Sequence, residues 1–181
     1  MTKMTLHVDD VDWSRLHQAT GTCEDIPDAL EQLCSGDAAQ RKAAYWRIEN
    51  HVILQGDLYE AAPFVVRGLL TCLDAEPPAK VEIYDLLIEL ANGYAPDSEF
   101  VEIEGKVVPV KDATVACLQQ GMARYWRDLD KEPVDIRKRV VEVFLALSDH
   151  MQIDKNRLCA LSESEVDEEV RCLLQELIEE E

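Results

Sequence analysis

The side chains best suited to catalysis or metal binding are scattered along the chain rather than grouped. The four histidines are His7, His17, His51 and His150, and none stands four residues from another histidine or three to four residues from a cysteine. Zinc sites usually show such close spacing, because the ligands must reach one ion. The sequence therefore predicts no metal site. His51 occupies a helical position held by apolar residues elsewhere, so we expect a partly buried, hydrogen-bonded imidazole rather than a catalytic one.

The cysteines are equally dispersed, and no two of them form a Cys-x-x-Cys pair. They are Cys23, Cys34, Cys72, Cys117, Cys159 and Cys172. The first ten residues contain no apolar stretch of signal-peptide length, so we predict free thiols in a cytoplasmic protein. Five of the six lie in helical patterns and should pack as small hydrophobic residues. For Cys23, in a turn-like segment, a reactive thiol is the alternative, although no basic residue flanks it.

Acidic pairs offer the remaining catalytic possibility. Glu102–Glu104 and Glu168–Glu169 have a spacing that would allow acid–base chemistry. The chain holds 37 acidic residues, however, so such pairs arise by chance. Its seven glycines are not clustered, and there is no phosphate-binding loop. We therefore predict no catalytic, cofactor-binding or metal site, and a protein that is not an enzyme.

Charge is the strongest compositional signal. Against the 37 acidic residues stand 18 Lys and Arg, which gives a net charge of −19 at pH 7, and the excess is concentrated in residues 1–37 and 161–181. Nucleic acid and anionic membranes repel such a chain, and no apolar run reaches the ~18 residues of a membrane span, so we exclude both as partners. Two explanations stay open with about equal weight: the charge serves solubility, or it steers a basic partner.

Helical periodicity dominates the sequence, because apolar residues recur every three or four positions along most of it. We predict helices over 26–34, 62–73, 113–128 and 155–161, and others that begin near Asp37, Pro77, Pro133 and Asp167. Capping boxes at Asp37–Gln40 and Ser162–Glu165 mark two of these starts. The helix after Pro77 is apolar on two faces and should be the most central, with Leu87 in the core. The apolar stripes should also bury four aromatic residues, Tyr45, Trp46, Tyr84 and Phe144.

One segment departs from helical periodicity. Phe100–Val110 alternates apolar and polar residues around a Glu-Gly centre, which predicts a two-stranded β-hairpin inserted at about residues 97–111. Two side chains should face the helices, Val101 and Ile103. Three should remain exposed as a small recognition surface, namely Phe100, Glu102 and Glu104. Trp126, near the end of a helix beside the hairpin, either packs beneath it or anchors an interface.

A repeat connects the predicted helices. The four predicted helices that begin near Asp37, Pro77, Pro133 and Asp167 share a spacing. The residues four positions after these starts are Arg41, Val81, Arg137 and Arg171. Seven positions further on, each helix has a large apolar residue: Ile48, Ile88, Phe144 and Ile178. Once the hairpin is subtracted, the units recur at a period typical of paired-helix repeats. They resemble HEAT repeats, whose second helix often opens with Asp or Pro followed by Arg. The second unit departs from the pattern, because Val81 replaces the arginine.

The resemblance covers about residues 24–181 and implies an all-α fold, a short HEAT-like solenoid of about four helical pairs with the hairpin inserted. We expect a single domain over residues 1–181, with residues 1–23 as an N-terminal lead-in. The segment from Trp13 to Pro27, which runs from the lead-in into the first predicted helix, is also similar to the start of small bacterial HEAT-like proteins. Some proteins of that kind act as immunity proteins against secreted toxins, and this analogy does not by itself establish function.

The sequence thus favours a non-enzymatic module that captures a basic protein partner, with an immunity protein that neutralises a cationic toxin domain as its sharper form. The alternative is a scaffold or regulatory subunit whose acidity serves solubility alone. No cofactor, small-molecule substrate, nucleic acid or membrane is expected. The candidate partner-binding residues are Phe100, Glu102, Glu104, Trp126, Glu168, Glu176 and Glu179.

Overall fold

The computed structural model describes residues 11–180 and shows a mostly helical chain with one small antiparallel sheet. His7 lies outside the described residues. The helices are α1 Ile26–Ser35, α2 Ala38–Val52, α3 Ala62–Asp74, α4 Lys80–Asn92, α5 Val110–Gln119, α6 Met122–Lys131, α7 Val134–Ser148, α8 Lys155–Ser164 and α9 Glu168–Glu180. The strands are β1 Phe100–Ile103 and β2 Lys106–Pro109, and short 3-10 helices lie at Trp13–Arg15 and Leu54–Gly56.

The helices pack in two rows. α2, α4, α7 and α9 contact one another in that order, and α1, α3 and α5 do the same. Contacts between α1 and α2, α3 and α4, and α4 and α5 join the rows, while α6 packs on α7 and α8 packs on α9. Buried hydrophobic residues from Trp13 to Leu177 form one cluster. As predicted, α4 is the most central helix, and Leu87 and Phe144 are fully buried.

The predicted start near Asp37 is right for α2 and the predicted start near Asp167 is right for α9, but only the first of the two predicted capping boxes forms. Asp37 accepts hydrogen bonds from the backbone of α2, and Gln40 completes the capping box. The expected capping box at Ser162–Glu165 does not form, because α8 continues to Ser164. Asp167 caps α9 instead, and its Oδ1 accepts from two N–H groups at 3.1 Å. The Glu165 carboxylate accepts from the Asp167 N–H at 2.9 Å and forms an ion pair with Arg137.

The single helix predicted over 113–128 is two helices, α5 and α6, separated by a turn at Gln120-Gly121. The buried Gly121 explains the break. A Cβ atom there would lie 2.4 Å from Tyr125 Cζ and 2.7 Å from Leu70 Cδ2, so only glycine lets α3 and the Tyr125 ring approach the turn. The apolar spacing continues across this turn, which is why periodicity alone predicts one helix.

Arg41, Arg137 and Arg171 make the same local contact. Arg41 Nη1 donates to the Gly36 carbonyl at 2.9 Å, and Arg137 Nη1 donates to the Glu132 carbonyl at 3.0 Å. Arg171 Nη1 donates to the carbonyl of residue 165 at 3.4 Å. Each arginine therefore satisfies a carbonyl oxygen in the turn before its own helix.

The prediction that Trp46 lies in the core is wrong, since its side chain is 50% exposed. Helix α2 buries Ala44, Ile48 and Val52, which follow one another every four residues. Trp46 stands two residues from Ala44, and two residues turn a helix by about 200°, so its ring points away from the core. Tyr45, on the edge of the buried stripe, is only partly covered.

The hairpin forms as predicted. Phe100 pairs with Pro109 and Ile103 pairs with Lys106, on either side of a two-residue turn. Glu104 and Gly105 both have positive φ, 52° and 76°, as a type I′ turn requires. Val101 is buried against the helices, whereas Phe100 is 46% exposed.

The prediction of six free thiols is wrong, because Cys34 of α1 and Cys72 of α3 form a disulfide. Their Cα atoms lie 5.5 Å apart, within the range that disulfides span. Both residues lie on stripes that were correctly predicted to be buried, but only the packing of α1 on α3 brings them together. The argument for a reducing compartment from the cysteines therefore fails. Cys23, Cys117, Cys159 and Cys172 are free.

Candidate functional site

One side of the α2–α4–α7–α9 row carries a concentration of carboxylates around a few apolar side chains. We call it the acidic face. It comprises Tyr45 and Glu49 of α2, Asp85, Ile88 and Glu89 of α4, Glu142, Leu145 and Ala146 of α7 with the adjoining Asp149, and Glu176 and Glu180 of α9.

The α9 end of the acidic face is a shallow groove of about 750 Å³ between α4, α7 and α9. Four carboxylates surround it, from Glu142, Asp149, Glu176 and Glu180. The apolar part of its lining consists of Ile88, Leu145 and Ala146. Within the described chain no lysine or arginine lines this groove, so every charged side chain that lines it is acidic.

At the α2 end, carboxylates converge on the Tyr45 hydroxyl. Burial raises the pKa of Tyr45, and the nearby charges of Asp85, Glu89 and Glu49 raise it further. Arg139, which donates to Asp85 Oδ1, acts on this pKa in the opposite direction. Three acids and one base therefore meet around a partly buried tyrosine, beside the exposed Trp46 ring. This end combines negative charge with aromatic surface, and aromatic residues are enriched in protein interfaces.

A second concave surface lies on the opposite row, between the lead-in, α3 and the hairpin. We call it the hairpin groove; its volume is about 910 Å³. Its floor is α3, and the hairpin forms one wall through residues 101–105. The lead-in supplies the facing wall. The charged side chains that line it are Asp12, Arg15, Glu60, Arg67, Asp74, Glu102 and Glu104.

The structure does not bring all the predicted partner-binding residues together. Phe100, Glu102 and Glu104 lie on the hairpin, and the two glutamates line the hairpin groove. Glu176 belongs to the acidic face, on the other row of helices. The remaining predicted acids, Glu168 and Glu179, are exposed elsewhere on α9, and Glu168 pairs with Arg171.

Trp126 lies neither beneath the hairpin nor on an open surface. Its ring is 9% exposed and packs against Phe144, with centroids 4.7 Å apart. The Arg157 guanidinium covers its other side, 4.3 Å from the ring centroid. The tryptophan therefore joins α6 to α7 and α8, and we leave it out of the candidate surfaces.

A buried ionic network lies between α3, α4 and α6. Arg124 Nε donates to Asp128 Oδ2 at 2.8 Å, and the Tyr84 hydroxyl donates to the same oxygen at 2.8 Å. Arg124 also donates to Glu76 Oε1 at 2.8 Å and to Asp74 Oδ1 at 3.3 Å. Arg124, Asp128 and Tyr84 are almost completely excluded from solvent, so the network joins helices rather than facing a ligand.

The nucleophile and metal candidates do not assemble into a site. The Cys23 side chain is fully buried, and burial together with the charges of Asp25 and Glu60 raises its pKa from the ordinary value to about 12. Its thiol is thus protonated at neutral pH, so the reactive-thiol alternative is not supported. His17 Nδ1 lies 2.9 Å from Glu60 Oε2, and the partly buried His51 lies 3.4 Å from Thr20 Oγ1.

Across residues 11–180, no three His, Cys, Asp or Glu side chains are placed so that they could share a metal ion. In the same part of the chain, every helix is too short or too polar to cross a bilayer.

The chain matches no protein-family model. Neither a curated protein nor a solved structure is detectably similar to it. The candidate surfaces must therefore be interpreted from their own geometry and charge.

Most residues of the acidic face were not predicted from the sequence, although a signal for them exists. In three of the four repeat units, the residue after the last repeat position is glutamate: Glu49, Glu89 and Glu179. In two of these units the glutamate belongs to the acidic face. This recurrence places a glutamate at the corresponding position of the sequence pattern in α2, α4 and α9.

Proposed function

We propose that this protein is a non-enzymatic binding module that captures a basic protein partner on the acidic face. The observation that carries the proposal is the α9 end of that face, where four carboxylates surround apolar side chains and no lysine or arginine of residues 11–180 lines the groove with them. Complementary charge accelerates association and discriminates between partners, and the apolar centre supplies area that a partner can bury.

The position of two of these acids favours binding over stability as their purpose. Glu180 is in the last turn of α9, and Asp149 directly follows the last residue of α7. Helix C-termini carry partial negative charge, so an acid there is unfavourable for the isolated helix. Solubility alone would be served equally well by acids at positions that do not oppose the helix dipole.

We further infer that the helices form a short HEAT-like solenoid, with α2, α4, α7 and α9 as the second helices of four pairs. The order of contacts within this row and the shared role of Arg41, Arg137 and Arg171 support this arrangement. Consecutive second helices of such a stack make one continuous surface, suited to a macromolecule rather than a small substrate.

In its sharper form the proposal makes the partner a cationic toxin domain, such as a nuclease, and this protein its immunity protein. Enzymes that act on nucleic acid carry basic clefts, because they must neutralise phosphates. A surface with clustered unpaired carboxylates could cover such a cleft and block access of the substrate.

The test compares two variants of equal net charge. The face variant carries Glu142→Gln, Asp149→Asn, Glu176→Gln and Glu180→Gln. The control variant carries Glu24→Gln, Asp28→Asn, Glu31→Gln and Glu163→Gln, which are exposed positions on or beside α1 and α8. Wild type and both variants are used for affinity capture from native lysate, followed by mass spectrometry and by association kinetics with each retained protein across a salt series.

The proposal predicts a basic protein retained by the wild type and the control variant but not by the face variant, with an association rate that falls as salt rises. If that protein is an enzyme, its activity should titrate to zero at about one equivalent. Equal retention by both variants would remove the acidic face from the interface. Retention of no basic protein would favour the scaffold alternative.

A further inference from the structure

The outer edge of β1 presents backbone groups that nothing in the described chain satisfies. In a hairpin with a two-residue turn, the residues that flank the turn exchange hydrogen bonds, and alternate pairs beyond them do the same. Ile103 and Val101 therefore bond to β2. The carbonyl of residue 99 continues this pattern, because it accepts from the Val110 N–H at 3.0 Å.

Phe100 and Glu102 lie at the intervening positions, so their N–H and C=O groups point away from β2. None of these four groups is hydrogen-bonded to another described residue. Pro109, which pairs with Phe100 and has no N–H to give, is consistent with this register. β1 thus offers two donors and two acceptors along a free edge, the arrangement to which an added strand binds.

This edge lies at the hairpin groove. Residues 101–105 of β1 and the turn line the groove, and no β2 residue does. Across the floor, α3 presents Phe64 and Leu70, and the lead-in presents Leu16. A volume of about 910 Å³ is at the upper end of the ~300–1,000 Å³ that ligand pockets enclose, enough for several residues of an extended chain.

We propose that the hairpin groove binds an extended segment of a partner protein, which adds to β1 as a third strand. The chemistry of the groove specifies its side chains. A residue opposite Glu102 shares the outward face of the sheet with that carboxylate, so a Lys or Arg fits there. Residues opposite Val101 and Ile103 point toward the apolar floor. The segment therefore alternates basic and apolar residues.

The two arginines of the groove fit the same occupant. Arg15 of the lead-in and Arg67 of α3 line the groove with β1, and neither makes an ion pair within the described chain, although Arg67 also contacts the Cys117 thiol. An added strand would present its own second edge to them, with carbonyl oxygens that β1 cannot reach. Guanidinium groups are suitable donors for those oxygens. This second docking surface is separate from the acidic face and does not depend on it.

The test uses a fluorescently labelled octapeptide of alternating Lys and Val and two isomeric derivatives. One is N-methylated at every Lys and the other at every Val. In an antiparallel third strand, the Lys residues opposite Phe100 and Glu102 donate their N–H groups to β1, so Lys methylation should weaken binding at least about fivefold, whereas Val methylation should not. The reverse preference would indicate parallel addition. Equal affinities would show charge attraction alone and overturn the proposal.

Two variants of β1 separate backbone pairing from charge. Glu102→Pro removes a free-edge N–H that β2 does not use, and it should weaken the peptide at all salt concentrations. Glu102→Gln keeps that N–H. It should bind the peptide more weakly than the wild type at low salt, and the two affinities should converge as salt screens the charge. If Glu102→Pro unfolds the hairpin, hydrogen exchange on the wild type decides, since bound peptide should protect the Glu102 amide. An unprotected amide would overturn the proposal.

The face variant defined above serves as the control. It should bind the peptide as the wild type does, because the acidic face lies on the other row of helices. If the peptide instead loses affinity for the face variant and not for Glu102→Pro, strand addition is excluded and the acidic face is its binding site. Failure of the unmethylated peptide to bind at millimolar concentration would also overturn strand addition while leaving the proposed function intact.

Discussion

Carboxylates lie in two contrasting settings in this protein. In the buried network, Asp128 receives hydrogen bonds from both Arg124 and Tyr84, and it is 2% exposed. On the acidic face, Glu142 and Glu176 line a groove that no described base enters. The same type of side chain is thus fully paired in one region and unpaired in the other.

The difference separates architecture from recognition. A buried carboxylate must be paired, because an uncompensated charge in the interior costs several kcal/mol. An exposed carboxylate needs no partner, since water solvates it, but several acids close together repel one another. The buried network is therefore explained by folding alone. The acidic face gains nothing from its arrangement in the isolated protein, which favours a partner that supplies the missing positive charge.

Removal of Arg124 should have the largest effect. Arg124→Ala leaves the buried Asp128 carboxylate with only the Tyr84 hydroxyl and the half-exposed Arg127, 3.6 Å away, so we expect a loss of about 3–5 kcal/mol in unfolding free energy by denaturant titration. Arg47→Ala provides the control, since Arg47 pairs with Asp25 where both side chains are nearly half exposed, and such pairs contribute about 0–1 kcal/mol. Similar losses in the two variants would mean that burial does not distinguish these pairs.

Alkaline pH should destabilise the protein mainly through its interior. Burial raises the pKa of two tyrosines, Tyr84 and Tyr125. It also raises the pKa of two thiols, that of Cys117 and that of Cys23, the latter from about 9 to about 12. A group whose pKa is higher in the folded state stabilises the fold fully below its ordinary pKa, and this contribution is lost as the pH rises toward the folded value. Each such group lowers stability by about 1.4 kcal/mol per pH unit in that range.

Unfolding free energies measured from pH 8 to 11 test this prediction. The thiols act first, from about pH 9, and the tyrosines from about pH 10. Cys23→Ala should therefore flatten the curve between pH 9 and 10, and Tyr84→Phe should flatten it only above pH 10. Burial lowers the pKa of Lys111, so this residue instead makes the fold more stable as the pH rises. A stability that does not change up to pH 11 would contradict the assignment of these groups as buried.

The two central tyrosines offer a matched pair within the interior. Their rings lie 6.2 Å apart and both are fully buried, but the Tyr84 hydroxyl donates to Asp128 whereas the Tyr125 hydroxyl has no hydrogen-bond partner among the described residues. Tyr84→Phe removes a donor from a buried carboxylate and should cost about 1–3 kcal/mol. Tyr125→Phe removes an unsatisfied hydroxyl and should be neutral or stabilising. Thermal and denaturant unfolding of both variants would show the difference, and equal losses would contradict it.

Much of the fold could be predicted from the sequence, because its signals are local. Helical periodicity and the capping box at Asp37 identify helices, and the Glu104-Gly105 turn identifies the hairpin. The errors arise where tertiary contacts decide. The break at Gly121 exists because another helix approaches it, and the disulfide depends on α1 packing against α3. Neither contact leaves a mark within a single helix.

The candidate surfaces were less predictable for the same reason. Glu102 and Glu104 could be placed outward by strand alternation, and the groove beside them depends on where α3 lies. On α4 and α7, Asp85 and Glu142 are indistinguishable in sequence from ordinary solvated acids. Only the side-by-side packing of α2, α4, α7 and α9 brings them onto one face.

The smallest effect is expected on the acidic face itself. Replacement of Glu142, Glu176 and Glu180 by Gln removes three unpaired charges, so unfolding free energy should stay within about 0.5 kcal/mol of wild type, with any change toward higher stability at low salt. Such a gain should vanish at high salt, because screening already removes the repulsion. Glu132→Gln is the matched control, since Glu132 Oε1 accepts from Lys80 Nζ at 2.6 Å in a mostly buried pair, and its replacement should destabilise. If the face replacements cost as much stability as Glu132→Gln, the carboxylates of the acidic face hold the helices together as Asp128 does. The contrast between the two regions would then fail, and so would the argument for a basic partner.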